Sequence, residues 1–270
     1  MKQVALQTSH GKIAVRETAG VGTPVLMIHG NSSSGAVFRH IMNGALGDRY
    51  RMIAPESSDA IDPVRSYSMP GYADAMVEAL TLLGVRKAIV FGWSLGGHIG
   101  LEMISRFPGM IALMITGSPP VSPAQVTQGF KASPHMNLAG KQDFTAEDID
   151  NYAKATCGEP FEPFMRDGVA RTDGRARHLM FESFAGGQGD DQSQIVATAT
   201  IPLAVVNGAD EPFVNTDFVS RVRYANLWEG RCHLIEGSGH APFWDAPEKF
   251  NIIFARFLDE FAGGDGRARF

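Results

Sequence analysis

One stretch, AIVFGWSLGGHIG (88–100), constrains the fold of this chain more than any other. An apolar run of strand-forming residues ends in Gly92-Trp93-Ser94-Leu95-Gly96, and a helix-spaced run begins directly behind it. A strand passing straight into a helix, with one serine at the bend, matches the G-x-S-x-G turn that lifts a nucleophilic hydroxyl above a sheet. Such a turn forces an unfavourable conformation on the serine and tolerates no side chain where backbones nearly touch. That requirement accounts for Gly92, Gly96 and Gly97. Five residues alone specify little, and a glycine-rich turn without chemistry is the alternative. The flanking strand and helix favour Ser94 as a nucleophile.

The segments around the turn repeat its strand-helix grammar. Residues 3–9 and 12–18, joined by His10-Gly11, read as an opening hairpin. PVLMIHG (24–30), RMIAP (51–55), KAIVFG (87–92) and MIALMITG (110–117) are short apolar runs of the kind that buried strands make. GYADAMVEALTLLGV (71–85) and LGGHIGLEMISRFP (95–108) carry helical spacing, closed by Gly84 and Pro108 respectively. Strands then reappear at 201–208 and 231–237, ahead of a helix over 247–261. Such alternation predicts an α/β fold with a mainly parallel central sheet flanked by helices.

Residues 119–199 break the pattern. They hold Pro, Gly and scattered aromatics, a helix expected from Thr145 on a Thr-x-x-Asp capping box, and a second over 174–184. At 270 residues the chain suits one core domain with an insert. The expected division is a core of 1–118 and 200–270, with a helical lid of 119–199 inserted before the last two strands. Ligands bind at the carboxyl edge of such sheets, so the lid is expected there.

An alcohol attacks a carbonyl only if a base takes its proton. His240, in EGSGHAPFWDAP, follows a strand and precedes the final helix, which places it on a loop at the same edge as Ser94. A loop histidine is ordinarily just a solvated side chain; its place after the elbow argues for the base. His98 stands one turn into the elbow helix and reads as a packed histidine. The base needs an acid to hold its tautomer. VVNGADEPFV supplies two neighbours, and counting three residues from the strand-ending Gly208 favours Glu211, with Asp210 the alternative. HGNSSSGAVF (29–38) is a turn of small polar residues suited to an oxyanion loop. The expected oxyanion donors are the backbone N–H groups of Asn31 and Leu95.

The net charge of −5 argues against nucleic acid or an anionic membrane as partner. Cys157 and Cys232 lack metal-ligand spacing and suggest a reducing, cytoplasmic setting. No signal segment or bilayer-length apolar run is expected, and no zinc or dinucleotide fingerprint appears, so neither metal nor cofactor is called for. A small-molecule substrate is the expected partner; oligomeric state has no signal in the sequence.

With these residues in hand, the chain resembles the α/β-hydrolase superfamily, and more closely the AidH-type N-acyl-homoserine lactonases, metal-free quorum-quenching enzymes of that fold. The likeness runs through MIHGNSSSGAVF, GYADAM, VFGWSLGGHIG, TCGEPFE, ARTDGRAR, VVNGADEPFV, NLWEG and GHAPF. It implies Ser94, Glu211 and His240 as a catalytic triad. It also implies that Tyr152 of the lid reaches the substrate site, where Trp93 of the elbow is the second candidate contact; a surface tyrosine is the plain alternative. Phe130, Met136, Phe144, Phe161, Phe164, Phe181 and Phe184 could line an acyl groove or simply pack the lid. APESSDAID (54–62) departs from the group, lacking the glycine-rich turn that usually follows this strand. The expected activity is lactone hydrolysis; general carboxylesterase activity, or a hydrolase-fold ligand receptor, are the rivals.

Overall fold

The computed structural model describes residues 1–56 and 60–263. Eight strands form one sheet: β1 (Lys2–Thr8), β2 (Gly11–Glu17), β3 (Gly22–Ile28), β4 (Tyr50–Pro55), β5 (Ala88–Trp93), β6 (Met110–Thr116), β7 (Leu203–Gly208) and β8 (His233–Ile235). Their order is β1-β2-β4-β3-β5-β6-β7-β8. The β1–β2 hairpin and its seam with β4 are antiparallel, and every pairing from β4 to β8 is parallel.

Alternate residues of the central strands feed two separate cores, as the period of two requires. Ile89, Phe91, Ala112 and Met114 face a cluster with Phe38, Phe243, Phe250 and Phe254. Ala88, Val90, Leu113 and Ile115 face the opposite cluster, with Leu80, Ile99, Leu101 and Met103. Every residue of β5 and of β7 is buried, which is why these strands read as unbroken apolar runs. Helices Met69–Leu82 and Leu95–Arg106 supply residues to the second cluster, and the last helix, Pro247–Ala262, covers the first with Phe250, Phe254 and Phe257.

The chain between β6 and β7 adds no strand to the sheet. It runs through helices Ala146–Cys157, Pro163–Arg171, Gly174–Ala185 and Gln192–Thr198. Thr145 caps the first with a full capping box: its hydroxyl accepts from Asp148 N–H, and the Asp148 carboxylate accepts from Thr145 N–H. The helices at 163–171 and 192–198 go beyond the sequence-based expectation, and the first of them carries Gly168 in its interior. The strand expected over 231–237 contracts to His233–Ile235, because β8 is an edge strand with β7 as its neighbour. Of the glycine-poor loop, Ser57, Ser58 and Asp59 lie outside the described residues; beyond them Ala60 bridges Gly11 and its N–H donates to the Tyr67 hydroxyl at 3.2 Å.

Candidate active site

Ser94 stands between β5 and its helix with φ 55° and ψ −121°, a left-handed conformation that non-glycine residues rarely adopt. The surroundings hold it there. Its N–H donates to Thr116 O at 2.7 Å, and its carbonyl accepts from the Ser118 hydroxyl at 2.7 Å. A Cβ at Gly92 would lie 2.3 Å from Gly96 O, and one at Gly96 would lie 2.0 Å from Ile28 O. The bend therefore closes only with glycine on both flanks.

His240 lies on the loop after β8, and its Nδ1 is 2.9 Å from both Oε1 and Oε2 of Glu211. An ionised carboxylate only accepts, so Nδ1 is the donor in this pair and Nε2 is turned away from the acid. Glu211 is buried, whereas the rival Asp210 is exposed. Oε1 of Glu211 also accepts from the N–H of Phe213 at 2.9 Å, which offsets the cost of burying the charge. The imidazole is boxed in: Phe213 meets it edge-on at 4.8 Å, and the Trp93 ring lies 5.7 Å away while its indole N–H donates to His240 O at 2.8 Å. Ser94 and His240 converge on the end of β6, since Thr116 accepts from Ser94 N–H and the next residue, Gly117, lies against the His240 ring.

Leu95 opens the elbow helix, so its N–H belongs to the first turn and has no acceptor within the helix. Asn31 follows β3 on a loop pressed against the serine; a Cβ on Gly30 would be 3.1 Å from Ser94 Cβ. Its side-chain amide donates to Ala139 O, at 2.8 Å, in the segment between β6 and β7. From the same segment comes Tyr152, buried on its helix and in edge contact with Phe144 at 5.6 Å. Burial pushes the Tyr152 hydroxyl well above its ordinary range, opposed by the Arg177 charge and the Asn31 amide.

A model described as the alpha/beta hydrolase family matches residues 25–251. The chain belongs to the alpha/beta hydrolase family. A crystal structure of N-acyl homoserine lactonase AidH complexed with N-butanoyl homoserine is 56% identical to it, with a TM-score of 0.97 over 99% of this chain and 100% of that one. A substituted form of the same lactonase complexed with N-hexanoyl homoserine lactone is also 56% identical, with a TM-score of 0.96 over 97% of this chain and 99% of that one. The 2-hydroxy-6-oxononadienedioate/2-hydroxy-6-oxononatrienedioate hydrolase of Pseudomonas sp is 26% identical over 277 residues, 92% of each chain.

Several residues around the site have no advance signal in a linear reading. Asp245 pins the histidine loop: its Oδ1 accepts from the Ser238 hydroxyl at 2.5 Å and its Oδ2 from Gly239 N–H at 2.7 Å. Its place five residues after His240 is the one clue to it. Lys131 donates to Glu211 O at 2.8 Å, and its N–H to Phe213 O at 2.7 Å, tying the acid loop to the segment between β6 and β7. Trp244 donates to Pro160 O at 2.9 Å and ties the histidine loop to it likewise. That segment therefore bonds to all three loops of the site. His98 is buried between Phe130 and Phe184, with Nδ1 2.7 Å from Gln192 Oε1. Burial lowers its pKa to about 4, the Gln192 bond pulls the other way, and the nearby His240 lowers it further. Among the described residues, no group of three or more His, Cys, Asp or Glu side chains converges as a metal site would need.

Proposed function

We propose that this protein opens the lactone ring of N-acyl-homoserine lactones through an acyl-enzyme on Ser94. Ser94 Oγ attacks the ring carbonyl while His240 Nε2 takes its proton, and Glu211 stabilises the resulting imidazolium. The N–H groups of Asn31 and Leu95 meet the oxyanion. The tetrahedral intermediate collapses by breaking the ring C–O bond, and His240 returns the proton to the departing alkoxide. That alcohol stays tethered, because ring and acyl carbon belong to one molecule. Water, deprotonated by His240, then cleaves the Ser94 ester and releases N-acyl-homoserine, so the signalling lactone is destroyed.

The observations that support this reading are the His240–Glu211 pair and a strained Ser94, both meeting the end of β6, in a chain 56% identical to a lactonase complexed with N-butanoyl homoserine. Residues 119–199 act as a lid over a core of 1–118 and 200–270, with Tyr152 and Trp93 against the substrate. Two free thiols, Cys157 and Cys232, suit a reducing cytoplasm. The test is acid release from N-hexanoyl homoserine lactone by the wild type and by Ser94→Ala. Removal of such a nucleophile costs about a million-fold in related chemistry, which takes turnover below detection. Faster turnover of simple aryl esters than of any lactone would instead make the protein a general carboxylesterase. A chelator should leave the rate unchanged.

A further inference from the structure

Arg177, the last residue of the ARTDGRAR stretch, is buried, and its acceptors are two carbonyls and a hydroxyl rather than a carboxylate. Its Nε donates to Lys141 O at 2.9 Å, its Nη2 to Gln142 O at 2.8 Å, and its Nη1 to the Ser32 hydroxyl at 3.2 Å. A buried guanidinium is expensive, and the Asp173 and Asp143 charges favour this one through space alone, so its direct bonds to neutral acceptors need a reason. The reason lies on the far side of Ser32. That residue has φ 57°, strained for a serine, and its hydroxyl donates to Asn31 Oδ1 at 3.1 Å. Asn31 in turn donates to Ala139 O, two residues before Lys141. Arg177, Ser32, Asn31 and the 139–142 segment thus close a ring of hydrogen bonds around the oxyanion loop. The same guanidinium lies over the Phe144 ring, 3.9 Å from its centroid, and Phe144 abuts Tyr152.

We infer that Arg177 is a positioning residue, which sets the backbone of Asn31 for oxyanion binding by fixing Ser32 from the lid. The inference rests on the acyl-enzyme reading above but needs only its oxyanion step, common to lactones and simple esters. An oxyanion donor works only when aimed at the charge as it forms. Release of Ser32 lets the loop relax from its strained conformation, and the N–H of Asn31 moves with it. Arg177 would then affect transition-state stabilisation without touching substrate.

The experiment measures kcat and KM for Arg177→Ala and Ser32→Ala on N-hexanoyl homoserine lactone and on p-nitrophenyl acetate, with and without added guanidinium chloride below denaturing concentration. The expected result is a kcat loss of about a hundredfold in Arg177→Ala on both substrates, within the range for one lost oxyanion donor, with KM changed little. Ser32→Ala should lose kcat in the same sense, and guanidinium should restore part of the rate to Arg177→Ala alone. Folded Arg177→Ala with wild-type kcat, or a loss confined to KM, overturns the inference. If Arg177→Ala does not fold, Ser32→Ala decides: an unchanged kcat there overturns it as well. A wild type that turns over the aryl ester but no lactone overturns the proposed substrate and leaves the role of Arg177 open to the same kcat comparison. A wild type inert to both overturns the two together.

Discussion

Nδ1 of His240 sits 2.9 Å from each carboxylate oxygen of Glu211, so the imidazole is gripped symmetrically by a buried acid on the preceding loop. Replacing the carboxylate with an amide keeps the shape but offers a donor to a donor, and the ring is free to take the other tautomer. Glu211→Gln should therefore lower kcat by about ten-thousandfold, the loss seen when a triad acid is replaced by its amide. Asp210→Asn, at the exposed neighbour, should leave kcat at the wild-type value. Steady-state rates of the two variants on one ester substrate check this; equal losses would contradict it.

Gly117 lies directly against the His240 ring. It has φ 66°, and a Cβ there would lie 2.6 Å from His240 Cε1 and 2.9 Å from Nδ1. A methyl group would displace the imidazole from Ser94 and also strain the backbone. A shift of about 1 Å in a catalytic group can cost about a hundredfold. Gly117→Ala should show a kcat loss of that order while the protein still folds, as circular dichroism would report.

Asp245 anchors the histidine loop through its bonds to Ser238 and Gly239, and burial is the main influence raising its pKa. Asp245→Ala removes both anchors without touching the imidazole. Turnover should fall by about tenfold to a hundredfold, through loss of pre-organisation. Wild-type kcat in a folded Asp245→Ala would show that the loop is held by Trp244 and Trp93 instead.

What a linear reading recovers here follows from how each signal is encoded. β5 and β7 are buried on both faces, so they stand out as apolar runs, and the Thr145–Asp148 capping box is written within four residues. The glycines of the elbow are legible for the same reason: the clash between Gly92 and Gly96 is local in sequence. Helix Pro163–Arg171 escapes because Gly168 and exposed charged positions dilute its periodicity, and β8 shrinks because edge pairing, not composition, limits it. The roles of Arg177 and Asp245 are barely written in the sequence, beyond the place of one in ARTDGRAR and of the other five residues after His240. Arg177 reaches Ser32 only once the segment after β6 has folded against the sheet, and Asp245 meets Ser238 and Gly239 only once its loop has closed.

Tyr152 brings a buried hydroxyl from the segment between β6 and β7 to the neighbourhood of Asn31 and Arg177. If that hydroxyl bonds the polar part of an acyl-homoserine lactone, Tyr152→Phe removes one neutral hydrogen bond and little volume. One such bond contributes on the order of 1 kcal/mol, so kcat/KM for the lactone should drop roughly fivefold. An aryl ester, lacking the amide, should be turned over as before. A parallel loss on both substrates would make Tyr152 a packing residue.

His98 ties stability to pH through a definite sign. Its pKa is lowered from 6.5 to about 4, chiefly by burial, with Gln192 and His240 as its polar neighbours and Phe130 and Phe184 as its apolar ones. Below pH 6.5 the unfolded chain takes up a proton that the folded chain refuses until about pH 4, so unfolding is favoured as acid is added. The stability from keeping this ring neutral is fully present above the unfolded value and lost across that window. The loss is on the order of 3 kcal/mol. Urea unfolding of the wild type and of His98→Asn, followed from pH 7 to pH 4, separates this residue from the other buried histidines. The wild type should lose more stability with acid than the variant; parallel curves would show that the ring is protonated in the folded protein.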